Sequence, residues 1–346
     1  MRYELNNEEL WMELNAMTYK PTTSIAFCTT KPKLREVFAA NFRDRVVHHL
    51  FIRKINDCVE GKLSDCQCAC RRGRGTRYCA ERVNRAMKAH PDGWYVKFDV
   101  QGFFMSIDKD ILLRLTEQVV RACAKEDTDW WLWLARTIIM HRPEQDCVMR
   151  GDSRLWDALP DNKTLFRSDG TGLPIGNLPS QVLANLYMAD FCRFIVERLG
   201  GDNSSLTMYA DDGIMVGDNK RLLLKTLNEA RQWLWKERRM KLHPSKVTIQ
   251  RVRRGCTFTG IFHKAGRMRP GRRTIRNAMS VVERWRAMDP PVNDEDKQRM
   301  VCRYNSYSGL MRHYDSYNTR RRMWRRLGHY DGINNYNMTK IKITKQ

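Results

Sequence analysis

Acid is scarce in this chain relative to base. Against 62 lysines and arginines stand 39 aspartates and glutamates, a formal charge of +23 over 346 residues. A balance that basic suits a phosphate backbone, whose condensed counterions are released as Lys and Arg neutralise it. Long apolar runs are missing too. No stretch of 18 apolar residues occurs, and the N-terminus, Met1-Arg2-Tyr3-Glu4-Leu5-Asn6-Asn7-Glu8-Glu9, is acidic and polar. Neither a membrane span nor a secretory leader is expected, so the protein is read as cytoplasmic, with no membrane partner. Paired Cys-x-x-Cys motifs are absent, and the eleven cysteines are odd in number. Without a secretion signal they read as reduced thiols. Cys66, Cys68, Cys70 and Cys79 form the one cluster, with no histidine nearby. A zinc site and alternating cysteines on a half-buried strand are the two readings, and the strand fits the spacing better. No internal repeat or clear linker is found.

What is present is a globular share of hydrophobic residues, 42%, enough for two or three subdomains around a large core. Arginine is interleaved with Trp, Tyr and Phe, whose rings can stack on bases. Periodicity and turn residues predict a helix within 1–20, strands within 24–38 and a helix over 41–60. After a Gly-Arg loop, Arg71 to Thr76, come a helix over 77–89 and a strand ending at Asp99. Helices follow from near Asp108 and over 130–139, the latter rich in Trp and Leu and read as buried. Residues 141–170 read as an inserted loop. Pro179 to Leu199 reads as one long helix, and 219–238 as another. Val247 to Gln250 and Thr257 to Phe262 read as strands, 296–327 as basic helix, and the chain from about 331 as loose and polar. From Arg251 to Arg286 eleven Lys or Arg stand with a single acid, Glu283.

Tyr209-Ala210-Asp211-Asp212 carries the chemistry. Apolar runs flank it, Leu206 to Ala210 before and Gly213 to Val216 after, so it reads as a tight β-hairpin with two acids at its tip. Acids between buried strands are costly without a cation, and magnesium prefers such hard oxygens. A third acid, Asp99, ends the run Tyr95-Val96-Lys97-Phe98-Asp99. If the strand ends converge, three carboxylates can hold two metal ions about 3.5–4 Å apart, clamping an attacking and a leaving phosphate oxygen.

Asp99 with Tyr209-Ala210-Asp211-Asp212 resembles the palm of reverse transcriptases. The resemblance spans roughly residues 25–330, with blocks in the family's order. These are Lys31 to Val37 with Phe42 to His49, then Arg71 to Thr76, then Phe98 to Asp108, then Leu242-His243-Pro244-Ser245-Lys246 and Phe258-Thr259-Gly260. The block Gly172-Leu173-Pro174-Ile175-Gly176-Asn177-Leu178-Pro179-Ser180-Gln181 departs from the common pattern. Ile175 stands where Gln is usual and Gln181 where Pro is. That variant is similar to the reverse transcriptases of diversity-generating retroelements, within the group II intron-like prokaryotic enzymes. The segment with Asp146, Cys147, Gly151, Asp152, Trp156 and Leu159-Pro160, and the ending Asn305 to Tyr314, resemble that group as well.

The resemblance implies an α+β right-hand polymerase. Residues 1–95 would be fingers with an N-terminal helix, and 96–262 palm with an insertion at about 110–172. Residues 263–330 would form a helical basic thumb, and 331–346 a loose tail. It implies an RNA-directed DNA polymerase of prokaryotic or phage origin. Such an enzyme would copy a template-repeat RNA into cDNA with errors at template adenines, using two Mg2+ ions with Mn2+ able to substitute. Its partners would be template RNA, primer or cDNA, dNTPs and an accessory variability-determinant protein. Asp99, Asp211 and Asp212 would hold metal, with the Val100 carbonyl. Lys33 and Arg35 would meet the triphosphate, beside Val100, Gln101, Gly102 and Phe103, and Phe104 would be the steric gate against a 2′-hydroxyl. Ile175 and Gly176 would lie against the incoming nucleotide. Lys246 would serve as general acid or stand as an exposed structural lysine. Tyr209, Gln181, Phe258, Gly260, Arg267, Arg269, Arg272, Arg273 and Arg276 would contact nucleic acid. A retron, intron-like or antiphage-defence enzyme of ordinary fidelity shares the chemistry, though no fused maturase or endonuclease domain is expected. A non-catalytic RNA-binding protein is the reading of another class.

Overall fold

The computed structural model describes residues 2–31, 33–288, 293–328, 333–336 and 338–343. In chain order the first elements are α1 (Arg2–Asn15), β1 (Ser24–Thr29), β2 (Arg35–Ala39), α2 (Phe42–Lys62), α3 (Thr76–Ala89) and β3 (Trp94–Asp99). Then come α4 (Lys109–Cys123), α5 (Thr128–Met140), β4 (Cys147–Arg150), α6 (Arg154–Asp157), α7 (Leu178–Tyr187) and α8 (Ala189–Arg198). They are followed by β5 (Leu206–Tyr209), β6 (Asp212–Gly217), α9 (Lys220–Arg238), β7 (Thr248–Arg251), β8 (Cys256–Phe258), β9 (Ile261–Lys264) and β10 (Arg267–Pro270). Last are α10 (Arg272–Arg286), α11 (Asp294–Met311), α12 (Tyr317–Leu327), β11 (Ile333–Tyr336) and β12 (Lys340–Ile343). One four-stranded sheet has the order β5-β6-β3-β7.

Two compact units emerge. The first comprises Met1–Gly73, Val96–Met215 and Arg221–Thr248. Caps start its helices: the Asn41 side chain accepts from the Arg43 amide, and Asp108 accepts from Ile111 N at 2.9 Å, satisfying donors that have no partner inside the helix. β1 pairs antiparallel with β2 and parallel with β4. The stretch expected to be an inserted loop is therefore part of a sheet. Its anchor is Glu36, fully buried on β2. One carboxylate oxygen accepts from Trp156 Nε1 at 3.0 Å and Thr164 Oγ1 at 2.6 Å, and the other from Leu165 N at 2.8 Å. Burial raises this carboxyl above its usual range, while the three donors pull it back.

Other expectations need correction in this unit. The long helix expected over 179–199 breaks at Met188 into α7 and α8. The Trp-rich helix α5 buries Leu134, Ala135 and Ile139, while its tryptophans are only half-buried. The cysteine cluster is not a strand. Cys66 O accepts from Met208 N at 2.8 Å and Cys68 N donates to Met208 O at 2.9 Å, a single bridge that extends the β5 edge. Cys66, Gln67, Cys68 and Ala69 are all buried and Cys70 is exposed, so the alternation of a half-buried strand fails. Arg71 braces the loop, donating to Glu60, Ser64 O and Gln67 O.

The second unit comprises Arg74–Tyr95, Val216–Lys220 and Ile249–Gln346. The segment expected as one strand over 257–262 is a hairpin: β8 and β9 pair antiparallel across Thr259-Gly260. α3 is pinned to the next turn, with Asn84 Nδ2 donating to Lys264 O and Arg267 O at 2.9 and 3.0 Å. Helices α10 to α12 pack around Trp285, Tyr304, Met311 and Met323. The tail expected to be loose is, in its described residues, an antiparallel hairpin of β11 and β12. Ile341 is fully buried in that helical core, and the Asn305 side chain bonds both its N–H and its C=O at 2.8 Å. One well-placed isoleucine outweighs the polar composition around it.

Candidate active site

The acids are gathered by backbone geometry in the first unit. Tyr209 pairs with Asp212, leaving Ala210 and Asp211 as a two-residue loop. Ala210 takes a left-handed φ of 54°, a strain of about 1–2 kcal/mol for a residue with a Cβ. Gly213 must be glycine: a Cβ there would stand 2.2 Å from Phe98 Cζ and 2.6 Å from Met208 Sδ. The hairpin is tied to the end of β3 by Val100 N donating to Asp211 O at 2.9 Å. On the other side His243 N donates to Asp99 O at 2.8 Å and Gln101 N to Lys241 O at 2.9 Å.

Three acids and three lysines share this place. Asp99 is buried, and Lys246 Nζ donates to both its carboxylate oxygens, at 2.9 and 3.0 Å. Lys97 Nζ lies 3.9 Å from Asp212 Oδ1. Burial raises the Asp211 carboxyl above its ordinary value and Asp99 adds to the rise, while Lys163 and Lys246 oppose it. Asp212 is raised too, first by burial, with Lys97 opposing and Asp211 and Asp99 adding. Desolvated acids that repel one another, with hard oxygen donors, fit a divalent cation in chemistry and charge. As the chain is folded, however, no three Asp, Glu, His or Cys among the described residues stand at ligand spacing. Asp99's immediate partner here is an ammonium.

The remaining candidates divide by exposure. Lys33 and Arg35 are exposed, as a triphosphate contact requires, and so is Gln181. Val100 is buried, and its N–H is spent on the hairpin. Gln101 is half-buried and Phe103 buried; Phe104 stands half-buried edge-on to it, ring centroids 5.1 Å apart. Gly102 is left-handed, φ 58°, and a Cβ there would lie 3.0 Å from Asn162 O. Its openness therefore serves a chain contact. Gly176, φ 122°, lets Phe38 O come within 2.6 Å of where a Cβ would be. Ile175 O accepts from Phe38 N at 2.8 Å, and its side chain packs on a core that includes Phe38, Met105 and Trp156. Tyr209 is half-buried.

In the second unit Phe258 is fully buried, so its ring is core and not a nucleic-acid contact; the adjoining Gly260 is exposed. Arg267, Arg269, Arg272, Arg273 and Arg276 are all exposed. Arg269 lies 3.1 Å and Arg267 3.7 Å from Asp315. Sequence reasoning passed over two of the three lysines. Lys97 had a signal, since residues two apart on a strand share a face, which puts it beside Asp99. Lys163, in the inserted segment, had none.

Comparison with known proteins agrees with this geometry. The family described as "Reverse transcriptase (RNA-dependent DNA polymerase)" matches residues 20–263. No curated protein matches the chain significantly. Among solved structures, apo telomerase from Candida tropicalis is 10% identical with a TM-score of 0.54, over 89% of this chain and 57% of that one. The RNA-dependent RNA polymerase of a human picobirnavirus is 12% identical with a TM-score of 0.53, over 88% and 57%. Telomerase from Candida albicans, in complex with a TWJ fragment of telomeric RNA, is 9% identical with a TM-score of 0.51, over 90% and 57%. This chain thus spans little more than half the length of each. The chain belongs to the reverse transcriptase (RNA-dependent DNA polymerase) family and has the right-hand polymerase fold. Among its described residues, no helix is long and apolar enough to cross a membrane.

Proposed function

We propose that the chain is an RNA-directed DNA polymerase serving a diversity-generating retroelement, copying a template-repeat RNA into cDNA with errors concentrated at template adenines. The observation that supports the reading is Ile175. Where the common pattern has Gln, this chain has an aliphatic side chain packed toward Phe38 and Trp156, with its carbonyl bonded to Phe38 N. Such a residue offers the incoming nucleotide no hydrogen bond. Discrimination is a difference in transition-state binding, and removing a polar contact that depends on correct pairing lowers it.

Asp99, Asp211, Asp212 and the Val100 carbonyl would hold two Mg2+ ions, or Mn2+, which when bound acidify the primer hydroxyl and neutralise the leaving pyrophosphate. Lys246 positions Asp99 and stands ready to donate a proton to the leaving group. Lys33 and Arg35 bind the triphosphate, Arg35 bidentately. Phe104 closes the space beneath the sugar against a 2′-hydroxyl. The exposed arginines of β10 and α10 carry template and primer, and an accessory variability-determinant protein supplies template choice.

The test is primer extension on a heteropolymeric RNA with magnesium and all four dNTPs, with and without the accessory protein, products sequenced and Asp211→Asn as control. Errors concentrated at template adenines, reduced in Ile175→Gln, are the expected result. Faithful synthesis would assign the chain to a retron, intron-like or defence role. Template binding without synthesis under any condition would favour a non-catalytic RNA-binding protein.

A further inference from the structure

Lys163 lies in the inserted segment, outside every block that the sequence assigns to the reaction, yet the fold sets its turn against Gly102, three residues beyond Asp99. The segment is held from both ends. Glu36 grips Trp156, Thr164 and Leu165. Beyond it, Thr171 Oγ1 donates to Met105 O at 3.0 Å, Gly172 N to Ile107 O at 2.8 Å and Leu173 N to Phe104 O at 2.8 Å. Between these anchors, the 3-10 turn Asp161–Lys163 is braced by Arg167, which bonds Asp161, Leu159 O and Trp156 O. Its Asn162 presses against Gly102, three residues beyond Asp99, where the missing side chain leaves room.

Lys163 itself is exposed while its neighbour Thr164 is almost fully buried, so the backbone is fixed and the side chain free to move. Among the described residues it makes no ion pair with a carboxylate. Its charge opposes the rise of the Asp211 carboxyl, whereas Lys97 and Lys246 are already engaged with Asp212 and Asp99. The turn that carries this ammonium packs on Gly102, within the stretch beside which the triphosphate would run. Lysine suits that task, as a compact charge on a flexible stem. Phosphoryl transfer depends on such charge placed around the phosphates.

We propose that Lys163 is a triphosphate-binding residue, its ammonium meeting a β- or γ-phosphate oxygen of the incoming dNTP. The inserted segment is then a third source of phosphate-binding charge, beside Lys33 and Arg35 of the fingers. This rests on the polymerase activity and not on the retroelement reading, so it holds whatever the fidelity.

The experiment measures single-nucleotide incorporation together with equilibrium binding of a non-hydrolysable α,β-imido dNTP and of the matching dNDP to the enzyme–primer–template complex. For Lys163→Ala the expected result is about a tenfold rise in KM for dNTP. kcat and primer–template affinity should change less than about threefold, and most of the preference for triphosphate over diphosphate should be lost. Lys163→Arg should restore that preference and Lys163→Glu should worsen it. The binding arm reads even for an enzyme of very low turnover. Unchanged nucleotide binding in the Ala and Glu variants would overturn the proposal, as would a loss confined to primer–template affinity, which would make Lys163 a nucleic-acid contact. An unfolding midpoint within error of the wild type checks that the turn still folds.

Discussion

Asp211 and Asp212 sit partly withdrawn from water beside a third acid, and each is harder to ionise for it. A carboxyl whose folded pKa is raised binds its proton more tightly in the native state than in the unfolded one, where about 3.9 is usual. Stability therefore falls as the pH climbs from that value through the raised one. Asp211→Asn removes one of these charges. Metal-free denaturant unfolding at pH 4 and pH 7.5 should show the variant gaining on the wild type as pH rises, by about 1 kcal/mol at the upper end, while synthesis is lost. A variant less stable than wild type at pH 7.5 would show that its hydrogen bonds outweigh the repulsion. Divalent cation should reverse the wild-type cost: at tenfold its dissociation constant, Mg2+ or Mn2+ should stabilise it by about 1.4 kcal/mol. Chelation should remove the gain, and Asp211→Asn should show little of it.

Elements near the site stand or fall on single contacts. Gly213→Ala places a methyl inside van der Waals range of Phe98 and Met208, and overpacking of this kind costs about 1–3 kcal/mol. Denaturant titration should show that loss, and Phe98→Leu in the same chain should return part of it, since neighbouring substitutions couple; additive effects would mean the clash is relieved elsewhere. Glu36→Ala strands three donors, at about 1–3 kcal/mol for each left buried without a partner. Limited proteolysis should then cut within 141–170 well before global unfolding; an unchanged pattern would mean the β1–β4 pairing alone holds the segment. The same elements show what was legible in the sequence. Asp99, Asp211 and Asp212 announce themselves through apolar strands that break into acid, and the helices over 41–60 and from near Asp108 through their periodicity. Met188, where one helix becomes two, carries no Pro or Gly to mark it. The Glu36 anchor joins residues more than a hundred apart, and Lys246 on Asp99 spans a similar gap. Local periodicity reports neither. The resemblance alone puts Phe258 at nucleic acid; its ring is fully buried in the core.

Charge is a property of the whole chain, but its placement decides what it does. A net +23 guarantees attraction to any polyanion, and each phosphate neutralised on a duplex steepens the fall of log K with log salt by about 0.9. Arg267 and Arg269 lie beside Asp315, and Arg272, Arg273 and Arg276 cluster at the start of α10, where they test a backbone-binding face. Replacing all three with Gln should lower the salt slope for a primer–template duplex by about 2–3, weakening binding to unrelated sequences alike and leaving the unfolding midpoint almost unmoved. A control that removes three equally exposed charges from α4 and the residues after it, Arg114, Arg121 and Lys125, separates placement from net charge. Fluorescence anisotropy from about 50 to 300 mM salt reads both. If the control flattens the slope as much as the α10 variant does, affinity follows total charge and the α10 face has no special part in it. If only the α10 variant does so, the duplex lies along that helix, and the arginine-rich run from Arg251 to Arg286 is a binding face rather than a solvated one.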